Sequence, residues 1–273
     1  MISNPIVVQC YSSFEALPER FLAFLGKAAR RSFFYDVAWF CTIQRTVGPA
    51  TDEPRIYVAQ LHGEPVAALI TRERKAAGKL KAHMLLSVSR AMYTPLYGPI
   101  LGADFGIEGL RAIVMEIVHT RPFFDVLRFD SLDRQSPEFF ALSKVLREVG
   151  MCTQYFFNFF NYYEDVPNLT AMSYLSSRSP RLRNYITGRL RRWERLDRGY
   201  FRLITGDDGL SSALIDFELV HVQSWKEPEA FPGFIPELSK AAARAGILRL
   251  GLIYVDDEPA ACEWIDVCVD CLL

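Results

Sequence analysis

The sequence has few of the features that mark membrane, secreted or nucleic-acid-binding proteins. No apolar run reaches the ~20 residues needed to cross a bilayer, and the first ten residues lack the charged start and long apolar centre of a signal peptide. The net charge is only −1, which argues against a general nucleic-acid binder, because such proteins usually carry a global positive excess. These absences predict a cytoplasmic protein with no membrane span.

The cysteines do not form the pattern of a disulfide framework or a zinc site. Six cysteines are scattered along the chain, which is typical of reduced, mostly buried thiols. Cys268 and Cys271 form a CxxC pair with Cys262 upstream, but no histidine follows them to complete the four ligands that zinc requires. We therefore predict no metal site.

Two segments predict matching β-hairpins. Residues 55–61 and 66–72 alternate as strands across a turn that ends in Glu64-Pro65, and residues 248–255 and 260–267 do so across a turn that ends in Glu258-Pro259. The two Glu-Pro pairs lie 194 positions apart, and the same shift places Ala67 on Ala261. Because the hairpins also occupy the same place in the order of predicted elements, we interpret the chain as a duplicated domain.

The duplication predicts two domains joined by a connecting segment. Half of the 273 residues are apolar, enough for a sizeable core. We expect a first domain over 1–165, a connecting segment over 166–199 and a second domain over 200–273. The first is predicted to end in a long aromatic strand over 152–163. The second stops after its hairpin, so we expect either a truncated domain or an open sheet edge at Val267 that a second copy of the chain covers.

The connecting segment contains a basic amphipathic helix. Residues 178–202 hold nine arginines against Glu194 and Asp197. The helical period aligns an apolar stripe made of Leu182, Tyr185, Ile186, Leu190, Trp193 and Leu196. The arginines are either a solvated face or a site for a phosphorylated or carboxylated ligand. Arg189 falls within the stripe, where it needs a partner, either a structural acid or a ligand.

Four short motifs, together with the order of elements, carry a resemblance to a known family. They are YGPILGAD at 97–104, FNYY at 160–163, YLSSRSPRLRN at 174–184 and SWK at 224–226. With them the chain resembles the FemAB-like and CelD-like acyltransferases, which have tandem GNAT domains. The resemblance implies an α/β (α+β) fold with mixed, mostly antiparallel sheets flanked by helices. It also implies transfer of an acetyl, acyl or aminoacyl group to an amine or hydroxyl of a cell-envelope or polysaccharide precursor.

The donor implied by the resemblance is a CoA, carrier-protein or tRNA ester, with acyl-CoA as co-substrate and no tightly bound cofactor. Gly98 and Gly102, in the loop before the helix at residue 107, are the candidate cofactor-binding residues. A plain loop is the alternative interpretation, because no Arg or Gln stands at the required spacing and Asp104 would repel phosphate.

The candidate catalytic residues are His221 and Lys226. His221 lies one turn before Trp225 on a predicted helix and would accept a proton, although a core histidine is the alternative. Lys226 would meet a phosphate or carboxylate, or is a surface lysine. The remaining candidates would bind substrate in a cleft between the domains; they are Asn161, Tyr163, Tyr174, Arg183, Arg189, Trp225 and Glu263.

Two functional hypotheses follow. The first is an acyltransferase whose partner is an anionic small molecule or envelope precursor. The alternative is a catalytically silent, truncated relative that binds an anionic ligand or a partner protein.

Overall fold

The computed structural model describes residues 6–49, 51–75, 82–88, 93–160 and 170–266. The chain forms two compact units, Met1–Asn161 and Tyr162–Leu273, which are described separately below. The predicted α/β fold is confirmed, since each unit combines helices with a mainly antiparallel sheet. None of the helices in the described ranges has the length and apolar character needed to span a bilayer.

The first unit is built on a six-stranded sheet. Five strands follow the order β1-β2-β3-β4-β6, and β5 pairs with β3 beside the β3–β4 contact. All neighbours are antiparallel except β4 and β6, which are parallel. The strands are β1 Val7–Tyr11, β2 Glu53–Leu61, β3 Glu64–Lys75, β4 His83–Ser87, β5 Ile100–Leu101 and β6 Val126–Arg128.

Helices cover both faces of the central hairpin β2–β3. The helices are α1 Glu19–Ala29, α2 Val37–Thr46, α3 Gly106–His119 and α4 Pro137–Glu148, with a 3₁₀ turn at Phe33–Tyr35. Tyr57 and Leu69 pack in one buried cluster with Ile113 of α3. On the other face, Ile56 and Ile70 line a small cavity with Ile43 of α2. Burial on both faces explains the continuous apolar runs of these two strands.

Helix α3 approaches the sheet most closely at Gly109. A Cβ atom placed there would lie 2.8 Å from Val66 Cγ2, 2.9 Å from Ala67 Cβ and 3.3 Å from Ala59 Cβ. Real Cβ atoms do not tolerate the two shorter distances, because close-packed interiors respond to single methyl groups. Gly109 therefore sets the spacing between α3 and the hairpin.

The second unit is a three-stranded antiparallel sheet with helices on one face. Its sheet order is β7-β8-β9. Leu250 and Leu252 are fully buried, and along β8 buried residues alternate with half-buried ones. The elements are α5 Ala171–Ser177, α6 Pro180–Glu194, β7 Gly199–Ile204, α7 Leu210–Gln223, α8 Phe234–Arg244, β8 Leu248–Val255 and β9 Glu258–Asp266.

The two hairpins agree in register and in turn geometry. The β2–β3 ladder shifts after Gln60↔Pro65, and the β8–β9 ladder shifts after Tyr254↔Pro259. Each turn has positive φ at both central residues, at 53° and 83° for His62 and Gly63 and at 53° and 63° for Asp256 and Asp257. Each of these features recurs 194 positions later. The order β1-α1-α2-β2-β3 is likewise repeated as β7-α7-α8-β8-β9.

Several predicted elements differ from the observed ones. Residues 152–160 form no regular strand, and Tyr155, Phe156, Phe157 and Phe160 are exposed. β6 covers only Val126–Arg128, and β5 lies within the YGPILGAD motif. The predicted open edge at Val267 lies outside the described residues, as does the CxxC pair of Cys268 and Cys271.

The close packing at Gly109 gives a stability prediction. Replacing Gly109 with Ala should destabilise the first unit by about 1–3 kcal/mol, because the added methyl overpacks the helix–sheet contact. The matched control is Gly26→Ala in α1, where a Cβ atom meets nothing within 4 Å. This control should be neutral or more stable by about 0.5–1 kcal/mol, because alanine favours the helix. Urea unfolding followed by circular dichroism measures both changes. Equal stability of the two variants would contradict the packing argument.

Candidate functional site

The SWK motif forms a tight turn at the end of α7. The helix ends at Gln223, and Ser224 Oγ donates a hydrogen bond to the His221 carbonyl at 2.7 Å. The same oxygen accepts from the Lys226 backbone N–H at 3.2 Å. Because this hydroxyl holds both sides of the turn, the Trp225 side chain points into solvent and is 92% exposed. A large exposed indole is unusual and offers a flat apolar surface for a ligand.

His221 lies one turn before Trp225 with one ring nitrogen unpartnered. Its ring is parallel to that of Phe217, at 6.3 Å between centroids. Nε2 is buried and has no hydrogen-bond partner among the described residues. A buried polar atom without a partner is costly, so this nitrogen has unused hydrogen-bonding capacity.

The charge of Lys226 acts on the thiol of Cys262 on β9. Burial raises the pKa of Cys262, the Lys226 ammonium opposes this rise, and the Glu263 carboxylate adds to it. Cys262 Sγ also donates a weak hydrogen bond to the Phe217 carbonyl at 3.9 Å. His221, Lys226 and Cys262 therefore belong to one patch between α7 and β9, which we call the α7–β9 patch. Cys262 was missed as part of a site in the sequence, where it stood out only as a scattered thiol.

Glu263 lies on the other face of the sheet. Cys262 pairs with Leu252, whose side chain faces the helices, whereas Glu263 pairs with Gly251 on the outer face. Since neighbouring strand residues point to opposite faces, the structure does not bring Glu263 to the α7–β9 patch.

The arginine-rich segment forms α5 and α6, and none of their residues is buried. Arg189 was expected to need a charge partner, but it is exposed and lies over the Tyr185 ring, with Cζ 5.0 Å from the centroid. An exposed guanidinium keeps its hydration, so the expected desolvation cost is absent. Arg183 Nη1 donates to the Ser176 carbonyl at 3.3 Å. Tyr174 is half-buried, and Arg178 Cζ lies 4.4 Å from its ring centroid.

The candidate glycines in the first unit are both closely packed. A Cβ atom at Gly98 would lie 3.2 Å from Tyr35 Oη, and one at Gly102 would lie 3.0 Å from the Val66 carbonyl oxygen. Helix α3 begins after Phe105, which has φ 56° and provides no side-chain cap. Uncapped amides at a helix start fit a phosphate, although packing alone explains both glycines. Their role in acyl-CoA binding stays a prediction. Asn161 and Tyr163 lie outside the described residues.

Comparison with known proteins finds a similarity to an acetyltransferase domain in the second unit. Residues 180–272 match the profile of the acetyltransferase (GNAT) domain family. This match supports acyl transfer. GNAT acetyltransferases use acyl-CoA as co-substrate, and the mixed α/β architecture is consistent with a GNAT-like fold. The comparisons do not confirm a FemAB-like tandem relationship.

Two solved structures are similar to part of the chain. Both are of an aminoglycoside acetyltransferase from an uncultured soil metagenomic sample, one in complex with trehalose and one with sisomicin. They have 13% and 12% identity and TM-scores of 0.37 and 0.38, and the match covers 60% of this chain and 99% or 100% of theirs. At these TM-scores the similarity says nothing about substrate. No curated protein gives a significant match.

The Lys226–Cys262 proximity gives a second prediction. Replacing Lys226 with Gln should raise the pKa of Cys262 further, because the opposing cation is lost. Alkylation of Cys262 by iodoacetamide at pH 8 should therefore slow by about twofold, the size expected for one solvent-screened charge. Peptide mass spectrometry measures the rate at this residue alone.

The control is Lys240→Gln, because Lys240 is an exposed lysine on α8 that pairs with Glu237. This variant should alkylate Cys262 at the wild-type rate. High salt should reduce the difference between wild type and Lys226→Gln, since it screens the charge. If Lys226→Gln alkylates Cys262 at the wild-type rate at low salt, the charge of Lys226 does not act on Cys262 and Lys226 does not belong to the patch.

Proposed function

We propose that the protein is an acyltransferase that moves an acyl group from a thioester or ester to an amine or hydroxyl of a cell-envelope or polysaccharide precursor. Acyl-CoA is the donor we favour, with carrier-protein and tRNA esters as the other candidates. The observation that carries the proposal is the SWK turn, which lies inside the segment that matches the acetyltransferase family. In this turn, the exposed indole of Trp225 and the ammonium of Lys226 follow His221, whose Nε2 has no hydrogen-bond partner among the described residues.

Each residue of the α7–β9 patch has a chemical role in this proposal. The Lys226 ammonium binds a phosphate or carboxylate of the substrate, and the Trp225 ring packs against an apolar or planar part of it. His221 Nε2 accepts the proton of the attacking amine or hydroxyl, directly or through a water. The nucleophile bonds to the acyl carbon, the carbon–sulfur bond of a thioester donor breaks, and the sulfur leaves as a thiol after taking up a proton.

The remaining candidates in the second unit add proposed contacts there, and those in the first unit are proposed separately. The guanidinium groups of the half-buried Arg183 and the exposed Arg189 supply positive charge to an anionic substrate. We keep Tyr174 as a proposed substrate contact and Gly98 and Gly102 as proposed acyl-CoA contacts, whereas Glu263, on the opposite face of the sheet from the α7–β9 patch, is not proposed as one. The repeated hairpin register supports the further proposal that both units are GNAT-like domains in tandem.

Ligand binding at the turn can be measured through Trp225. Trp39 is buried, and Trp193 and Trp264 are half-buried, so acrylamide should quench mainly Trp225. Saturating acetyl-CoA should lower the quenching constant of the wild type. In Trp225→Phe the constant should be low from the start and should not respond. Lys226→Gln should weaken the response by about tenfold in concentration, because a charge-assisted contact to phosphate is lost, while Lys240→Gln should behave as wild type.

Turnover separates the enzyme from the silent alternative. Release of free thiol from acetyl-CoA should require an amine or hydroxyl acceptor such as an amino sugar, and His221→Gln should lower kcat by about 100-fold. Protection of Trp225 without thiol release for any acceptor would favour the silent binding module. If acetyl-CoA neither protects Trp225 nor releases thiol, acetyl-CoA is excluded as the donor, and the carrier-protein and tRNA esters are the donors to assay next.

A further inference from the structure

The first unit contains a cavity of ≈ 190 Å³ that is far in sequence from the α7–β9 patch. It lies among the end of α1, the 3₁₀ turn, residues 99–103 and the first turn of α4. The volume is room for about six waters, or for one small ring. Phe24, Ile100 and Leu101 give it apolar surface, and Lys27, Arg31, Tyr35 and Glu138 give it charge and hydrogen-bonding groups.

Glu138 is the buried charge of this cavity. Its side chain is 10% exposed, and Arg31 Nη2 donates to Oε1 at 3.0 Å. A carboxylate has about four acceptor positions, so a single bond to an arginine leaves capacity for further donors. Because Glu138 lines the cavity, hydroxyl groups of a ligand can fill this capacity.

The cationic groups of the cavity exceed its one carboxylate. Arg31, which follows the end of α1, neutralises Glu138, and Lys27 in the last turn of α1 has no ion pair among the described residues. The cavity therefore has a net positive charge, which favours an anion. Tyr35 remains a neutral donor, since burial, together with the Glu138 carboxylate, raises its pKa to about 12.

The loop over residues 98–103 forms one wall of the cavity and packs closely at its two glycines. The Gly102 N–H donates to the Val66 carbonyl at 2.8 Å, and a Cβ atom at Gly102 would lie 3.0 Å from that oxygen. A Cβ atom at Gly98 would lie 3.2 Å from Tyr35 Oη and 3.4 Å from Glu138 Cβ. A larger residue at Gly98 would displace the two polar residues, so the glycine preserves the arrangement of the cavity wall.

We propose that this cavity is a binding site for a small hydroxylated anion, a sugar phosphate or sugar acid. Glu138 accepts hydrogen bonds from the sugar hydroxyls, while Lys27 and Arg31 bind the anionic group. Phe24 faces the apolar side of the ring. An anion without hydroxyls is disfavoured because it would leave the free acceptor positions of the buried Glu138 carboxylate unfilled, and a neutral sugar lacks the group that Lys27 attracts. The proposal does not depend on acyl transfer.

Calorimetric titration of the full chain tests this site with four probes: glucose 6-phosphate, glucuronate, glucose and inorganic phosphate. At least one of the two sugar anions should bind at least tenfold more tightly than glucose and phosphate do. The tighter of the two identifies the anion, phosphate or carboxylate. Binding of phosphate as tight as that of both sugar anions would overturn the role of Glu138, and no binding of either sugar anion would overturn the site.

Two variants locate the binding. Lys27→Gln should weaken binding of the sugar anion by about tenfold. Lys144 is an exposed lysine on α4 that pairs with Glu148, and Lys144→Gln should leave the affinity unchanged. Ala28→Phe should abolish binding by filling the cavity without changing its charge. Wild-type affinity in both Lys27→Gln and Ala28→Phe would refute the location. Lys226→Gln should bind the sugar anion as wild type does, so the outcome is independent of the function proposed for the second unit.

Discussion

The first unit depends on a proline that interrupts a β-ladder. Pro65 has no N–H to donate, and after its pair with Gln60 the ladder resumes at Ala59 and Ala67, which leaves Val66 as an extra residue. The carbonyl of Val66 is then available to accept the Gly102 N–H. This bond fixes the segment that forms β5 and one wall of the cavity. The missing donor of one residue thus positions a loop more than thirty residues away.

The second unit has the same interruption at Pro259 but a different burial pattern. In the first unit both faces of the hairpin are covered, by α2 on one side and α3 on the other. In the described part of the second unit, helices cover only the face that carries Leu250 and Leu252. Phe201, Leu203 and Ile265 on the outer face are about half exposed. The strands reflect this difference, because β8 alternates in burial whereas β2 and β3 each contain a continuous buried apolar run.

Sequence patterns predicted the helices and hairpins that depend on neighbouring residues, and failed where the structure of a segment depends on packing against a distant one. Alternation and turn residues located both hairpins, and helices were also predicted at the positions of α3 and α7. The aromatic run 152–160 has strand propensity, but such propensity reflects packing against neighbours, and these residues are exposed without a paired strand. The helix of the predicted stripe is present as α6, yet Leu182, Tyr185 and Leu190 of the stripe are about half exposed. Periodicity therefore identified a face without showing whether anything covers it.

The two proposed sites differ in how much of each the sequence could reveal. The SWK turn is local: three consecutive residues and the preceding helical turn supply the hydroxyl, indole, ammonium and imidazole, so a motif was enough to find it. The cavity is assembled from residues 107 positions apart, Arg31 and Glu138, and from glycines whose purpose depends on what they touch. If the end of α1 did not pack near the start of α4, Glu138 would be an ordinary acidic residue in a first helical turn, where its charge favours the helix. Only the tertiary fold changes it into a buried carboxylate beside a cationic rim, and that change converts a helix-stabilising residue into a candidate ligand contact.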